Sequence, residues 1–280
     1  MNRKIMGFLA FFDILGFKNL IQNNSLEYLE SNVAKMLDTL DVRAKTMDGV
    51  DGKQMLSFEQ TESIVFSDTI ILYERCIKSA GGQIFHIGPS IIDKSALLLR
   101  IAFEAGIPLR GAISFGEYVV SDRYILGKPI VEASETEKAL EWSGAVLCKT
   151  AIDEWNRQLP PQRVKFLGME DFLLENSPFR GELLVPYSIP SKNGTYSGVA
   201  LRWDDLLLLR QYLTGVPGLS FEDYDKIHER VTKQFYAHDK KPNDEAKIRE
   251  KINNTADFIA ECYKIPISCR LSYTPPSAVR

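Results

Sequence analysis

The chain has 280 residues, 45% hydrophobic and 25% charged, with a formal net charge of -3. At about 150 residues per domain, this length makes roughly two domains or one large one, and such a chain buries enough surface to need no staple. The near balance of 34 basic against 37 acidic residues removes the broad electrostatic case for nucleic-acid binding, and a mean hydropathy of -0.14 argues against a membrane protein.

Arg3 and Lys4 precede the apolar run Met6 to Phe12, but that run is short, is cut by Asp13 and has no small-residue cleavage pattern. No segment approaches the roughly 18 apolar residues of a spanning helix. Cys76, Cys148, Cys262 and Cys269 lack CxxC spacing, and His86, His228 and His238 form no ligand cluster, so buried structural thiols in a reducing, cytoplasmic setting are expected.

In chain order, Gly7 to Phe12 (GFLAFF) predicts a strand buried on both faces, followed closely by Gly16 for a tight turn into a helix. Asn24 with Glu27 reads as the cap of a second helix, whose stripe is Leu26, Leu29, Val33, Met36, Leu37, Leu40 and Ala44. Glu62 to Phe66 and Thr69 to Tyr73, separated by Ser67-Asp68, predict a hairpin. Ser90 and Asp93 open a helix containing Ser95 to Glu104, stopped at Gly106 with Pro108 beyond. Leu109 to Phe115 is the next strand, and Val119, Val120 and Tyr124 to Leu126 form a further hairpin before a helix with Pro129 near its first turn. Ala145 to Cys148 and Ile152 to Leu159 give a strand and a helix ended by Pro160-Pro161.

This order contains βαββαβ, the split βαβ arrangement of a ferredoxin-like α+β palm. Beyond it come strands at Leu183 to Tyr187 and Ser197 to Trp203. Two helices follow, one capped by Ser220 with the stripe Tyr224, Ile227, Val231 and Phe235, the other from about Asp244 to Tyr263 with Ile248, Ile252, Ala256 and Ile259 inward. The expected division is a core over residues 1–159 and a mixed strand and helix extension over 160–280.

Two carboxylates at strand boundaries carry the chemistry. Asp13 ends the first strand, and Asp68 sits in the turn of a hairpin whose strand lies beside it in a palm. Such a pair makes an oxygen-rich site for Mg²⁺ or Mn²⁺, while Gly16 and Phe17 offer backbone N–H groups to a triphosphate. Turn chemistry alone also places Asp at both positions. Asp13, however, interrupts a strongly apolar run, a costly place for an uncompensated charge.

FFDILGF resembles the FxDIxGF signature at the first strand of the class III nucleotidyl cyclases. VFSDTIIL is similar to that family's hairpin with the second metal Asp, LRGAISFGEYVV to its RxGIxxG strand and hairpin, and ILGKPIVEASETE to its GxxVNxAxRLE helix. The four segments follow the family's order from Lys4 to about Leu159. The resemblance implies two Mn²⁺ or Mg²⁺ ions on Asp13, the carbonyl of Ile14 and Asp68, with phosphates at Gly16 and Phe17. It also implies a homodimer with two equivalent sites at the subunit interface.

The departures from that pattern are specific. Val131 and Glu135 stand where the family has the Asn and Arg that steady the ribose and the transition-state phosphate, and Ile64 stands where it has a purine-contacting Lys. Metal binding is kept while the purine readout is lost, a combination that resembles the divergent cyclases of bacterial Pycsar anti-phage systems, which make cyclic CMP or cyclic UMP.

Arg110 is then the cation expected near the nucleotide, its planar donors suited to phosphate; the alternative is a pairing with a neighbouring carboxylate in the sheet. Phe58 and Ile64 shape a base pocket or pack in the core, and Arg123 and Lys128 are weaker candidates that also fit a solvated face. In the implied reaction the ribose 3′-oxygen attacks the α-phosphorus in line and pyrophosphate leaves, which requires no nucleophilic side chain. Three readings follow: a pyrimidine cyclase (CTP or UTP) signalling to a separate effector protein, a purine cyclase with unfamiliar base contacts, or a catalytically silent nucleotide-binding module.

Overall fold

The computed structural model describes residues 3–39, 61–74, 88–121, 123–158, 183–204, 224–238 and 245–262. The first strand, β1 (Arg3–Ile14), is longer than the apolar run alone indicates. Neighbours pair with it on both sides, and Phe8, Leu9, Ala10 and Phe12 are fully buried, so the sheet's hydrogen bonds extend it through Lys4 and Met6 as well.

α1 (Phe17–Asn23) follows at once. The cap expected at Asn24 belongs one residue later. Asn24 closes α1, its Nδ2 donating to the Leu20 carbonyl (2.8 Å), while the Ser25 hydroxyl caps α2 (Leu26–Leu29) by accepting from the Tyr28 N–H (3.3 Å). An amide N–H satisfies the orphan carbonyls of a helix end, whereas a hydroxyl oxygen satisfies the orphan N–H groups of a helix start. A π-helical turn (Glu30–Ala34) then shifts the helical period. Leu26 falls outside the stripe, 76% exposed, while Leu29 and Met36 are buried. Leu40, Ala44 and Phe58 lie outside the described residues.

β2 (Thr61–Phe66) and β3 (Thr69–Glu74) form the expected hairpin, with Ser67 at φ 58° in the turn. At its far end Glu74 is buried where the β1–β3 ladder stops. Its Oε2 accepts the Phe8 N–H (3.0 Å), and the Tyr118 hydroxyl donates to the Phe8 carbonyl (3.1 Å) while accepting the Glu74 N–H (3.2 Å). Side chains thus replace the next rung of the sheet.

α3 (Gly88–Glu104) starts earlier than the Ser90–Asp93 pattern indicates. It is buried from Ile91 through Phe103, polar residues included. Lys94 donates to the Thr61 carbonyl (2.8 Å), and Arg100 is paired with Asp204 and Glu104, so the charged groups take partners rather than water. The helix ends at Gly106 (φ 73°), as expected.

β4 (Leu109–Val120) runs unbroken through the expected gap and turns into β5 (Ile125–Gly127). α4 (Lys128–Ala139), β6 (Gly144–Leu147) and α5 (Lys149–Gln158) complete the first half. β7 (Leu184–Ser191), β8 (Gly194–Leu201), α6 (Tyr224–Phe235) and α7 (Glu245–Cys262) follow.

All eight described strands belong to one sheet, ordered β2-β3-β1-β4-β6-β8-β7 with β5 on β4; β4 and β6 are parallel. The fold is α+β, and β4-β1-β3-β2 is the split βαβ palm. Residues beyond 159 continue this same sheet, β8 pairing with β6 through Val146 and Ala200. α7 packs on the segment before β6: Phe258 meets Trp142 edge-on at 4.3 Å, and the Thr255 hydroxyl accepts the Ser143 N–H (2.9 Å). Among the described residues no helix is long and apolar enough to cross a membrane.

Candidate active site

Asp13 is the penultimate residue of β1 and stands in register with Thr69 on one side and Arg110 on the other. Asp68 occupies the turn just before Thr69. The Ile14 N–H donates to the Asp68 carbonyl (2.9 Å) and the Leu15 N–H to the Pro108 carbonyl (2.9 Å), so three chain segments are fastened around the two carboxylates. The close fit of β4 to β1 requires Gly111: a Cβ there would lie 2.3 Å from the Phe12 ring.

Burial raises the Asp13 carboxyl above its ordinary pKa, the Arg110 guanidinium lowers it, and the neighbouring Asp68 charge raises it again. The two carboxylates therefore repel across a partly desolvated gap, an arrangement a cation relieves. Among the described residues no three His, Cys, Asp or Glu side chains gather as a metal cluster. Two carboxylates with a main-chain carbonyl nevertheless fit Mg²⁺ or Mn²⁺, which take one or two carboxylates and fill the remaining positions with water and substrate phosphates.

Arg110 is committed to the protein. Its Nη2 reaches Asp13 Oδ2 at 3.4 Å, its Nη1 donates to the Leu140 carbonyl (3.2 Å), and its Nε is ion-paired with Glu137 Oε1. Glu137 is only 1% exposed, and burial pushes its carboxyl up to about 7, the Arg110 charge opposing the shift and the Asp13 charge adding to it. Glu137 is not among the candidate residues expected from the sequence. The available signal was its spacing: Pro129, Ala133 and Glu137 recur every four residues along the inward face of α4, and a carboxylate there needs a cation.

The remaining expected residues are dispersed. Gly16 takes a left-handed conformation (φ 77°) as the cap of α1, and Phe17 begins that helix, both within four residues of Asp13. Ile64 is half-buried on β2, opposite Ile71, and packs on the core. Val131 and Glu135 share the outer, exposed face of α4, and Arg123 and Lys128 are exposed. Cys148 and Cys262 are buried free thiols, and burial pushes Cys148 up to about 12, so it stays protonated.

No family model matches the sequence, and no curated protein matches it. Among solved structures, the chain is similar to the catalytic core of a rhodopsin-guanylyl cyclase with converted specificity in complex with ATPαS, at 11% identity and a TM-score of 0.44, covering 72% of this chain and 98% of that one. The guanylate cyclase domain of RhGC from Catenaria anguillulae in complex with GTP is similar at 12% identity and a TM-score of 0.38 (71% and 97%). A bacterial light-regulated adenylyl cyclase is similar at 12% identity and a TM-score of 0.42 (76% and 57%).

Proposed function

We propose that this chain is a metal-dependent nucleotidyl cyclase that converts a pyrimidine nucleoside triphosphate, CTP or UTP, into the 3′,5′-cyclic monophosphate and pyrophosphate. The observation that carries this reading is the juxtaposition of Asp13 and Asp68, from distant parts of the sequence, at adjacent strand ends tied by the Ile14 N–H to Asp68 carbonyl bond. It joins the motif resemblance of FFDILGF, VFSDTIIL and LRGAISFG, which occur in one order along one palm.

Asp13, Asp68 and the Ile14 carbonyl would hold Mn²⁺ or Mg²⁺, which when bound supplies charge neutralisation on the triphosphate and acidifies the ribose 3′-hydroxyl. The chain's own work is positioning. Gly16 turns the backbone so that the first N–H groups of α1 would face the phosphates, Asp13 and Asp68 would hold the ion that meets them, and Arg110 adds positive charge beside Asp13. Ile64 stands in place of a purine-contacting Lys, so the purine readout that the resemblance would bring is missing. Signalling would pass to a separate effector that binds the cyclic product, as in an anti-phage response, from a homodimer with sites at its interface.

A second reading, a silent nucleotide-binding module, is favoured by Val131 and Glu135, which put no Asn or Arg on the outer face of α4. Incubation of the full chain with each of the four NTPs and Mn²⁺ separates these. Cyclic CMP or cyclic UMP, reduced by about 10²-fold or more in Asp13→Ala and Asp68→Ala, supports the proposal. Cyclic AMP or cyclic GMP assigns a purine cyclase, and nucleotide binding without any cyclic product assigns the silent module.

A further inference from the structure

We infer that Glu137 is a positioning residue for the metal-binding carboxylates, acting through Arg110; this rests on the reading of Asp13 and Asp68 as a cation site. One guanidinium spans two carboxylates in this core. Its Nε is ion-paired with Glu137, its Nη2 stands off Asp13 at 3.4 Å, and its Nη1 is fixed by the Leu140 carbonyl. The contact to Glu137 is the closer one, and Glu137 is the more buried partner, 2% exposed at its side chain against 23% for Asp13.

That asymmetry has a direction. Arg110 spends most of its charge on Glu137 and only part on Asp13, so Asp13 keeps negative charge to offer a divalent ion. With Gln at 137 the guanidinium is released to close fully on Asp13, which weakens the attraction for a cation at Asp13 and Asp68. Glu137 sets the behaviour of the ligand through one intervening side chain, Arg110, which contacts both carboxylates.

The test is Mn²⁺ alone, titrated by calorimetry at pH 8 into the full chain, with thermal melting recorded for every variant. Glu137→Gln is expected to weaken Mn²⁺ binding about tenfold, the size typical of groups that orient a metal ligand. In an Arg110→Met background the same substitution is expected to have little further effect, as a double-mutant cycle requires when one residue acts through another. Should Glu137→Gln fail to fold, Glu137→Asp, which keeps the charge but withdraws it by one methylene, carries the same expectation at smaller size. Wild-type affinity in Glu137→Gln or Glu137→Asp overturns the proposal, as does an undiminished effect in the Arg110→Met background. Asp13→Asn and Asp68→Asn separate the two claims: if neither alters Mn²⁺ binding, the cation site itself is wrong, whereas if both abolish it and Glu137 variants do not change it, only the role of Glu137 falls.

Discussion

Glu74 makes stability depend on pH in a way that can be isolated. The carboxyl is buried, accepts the Phe8 N–H through Oε2, and has no hydrogen-bond partner for Oε1 among the described residues. Burial pushes its pKa from the ordinary 4.5 up to about 8, the Phe8 N–H opposing the shift and the Glu154 charge adding to it. Between those two values the folded protein holds a proton that the unfolded chain has released. Stability is therefore greatest below the unfolded value, declines as pH rises, and levels off above the folded one. At 1.36 kcal/mol per pKa unit, the whole decline is about 4 to 5 kcal/mol, a large share of the 5–15 kcal/mol typical of a folded protein. Glu74→Gln cannot titrate and still offers an amide oxygen to Phe8. Urea unfolding at pH 5, 7 and 9 is expected to show the wild type losing about 4 kcal/mol more than Glu74→Gln over that range, since other groups, Glu137 included, cancel in the difference. Parallel pH profiles for the two proteins would refute the assignment.

Two further substitutions probe the frame around the site. Gly16→Ala meets no atom within 4 Å but places a Cβ at φ 77°, so it is expected to cost about 1 kcal/mol by strain and to weaken triphosphate binding; a melting curve and a nucleotide titration check both. Asp204→Ala removes the buried anion shared by Arg100 and Arg230, leaving Arg100, 4% exposed, with Glu104 as its remaining acidic partner among the described residues. A loss of about 3 kcal/mol in urea unfolding is expected, and a loss below about 1 would show that the pair contributes little.

The palm was legible because its signals are local. GFLAFF, the Ser67-Asp68 turn and the Gly106-Pro108 stop each write their element into a few adjacent residues. Asp13 and Asp68 were legible for a different reason: a charge at the end of an apolar strand and a charge in a two-residue turn are both conspicuous in sequence. Asn24 misled because Asn and Ser both suit helix boundaries, and which one starts the helix depends on which orphan groups lie within reach. The 3.6 period placed Leu26 on the buried stripe, yet as the first residue of α2 it is exposed, and the π-helical turn at Glu30–Ala34 breaks the period beyond it. The length of β4 past Phe115 was set by the full run of β1 beside it, a partner that periodicity within one strand does not reveal. The spacing of Pro129, Ala133 and Glu137 marks Glu137 as inward-facing, but its partner Arg110 stands 27 residues earlier, and no local pattern announces that contact.

The continuity of the sheet past residue 159 bears on how defects in this protein would be read genetically. The Leu140 carbonyl that holds Arg110 belongs to a short segment fastened from the far half of the chain. The Glu141 N–H bonds the Pro190 carbonyl, the Ser143 N–H bonds Thr255, Lys251 is paired with Glu141, and Trp142 rests on Phe258. Lesions in α7 or β7 would therefore surface as displacement of the Arg110 guanidinium beside Asp13, although they lie more than seventy residues from Arg110 in sequence. A screen for destabilising alleles would scatter hits across described elements on both sides of residue 159, and a fragment ending at 159 would carry both carboxylates yet leave β6 with a raw, unpaired flank where β8 belongs.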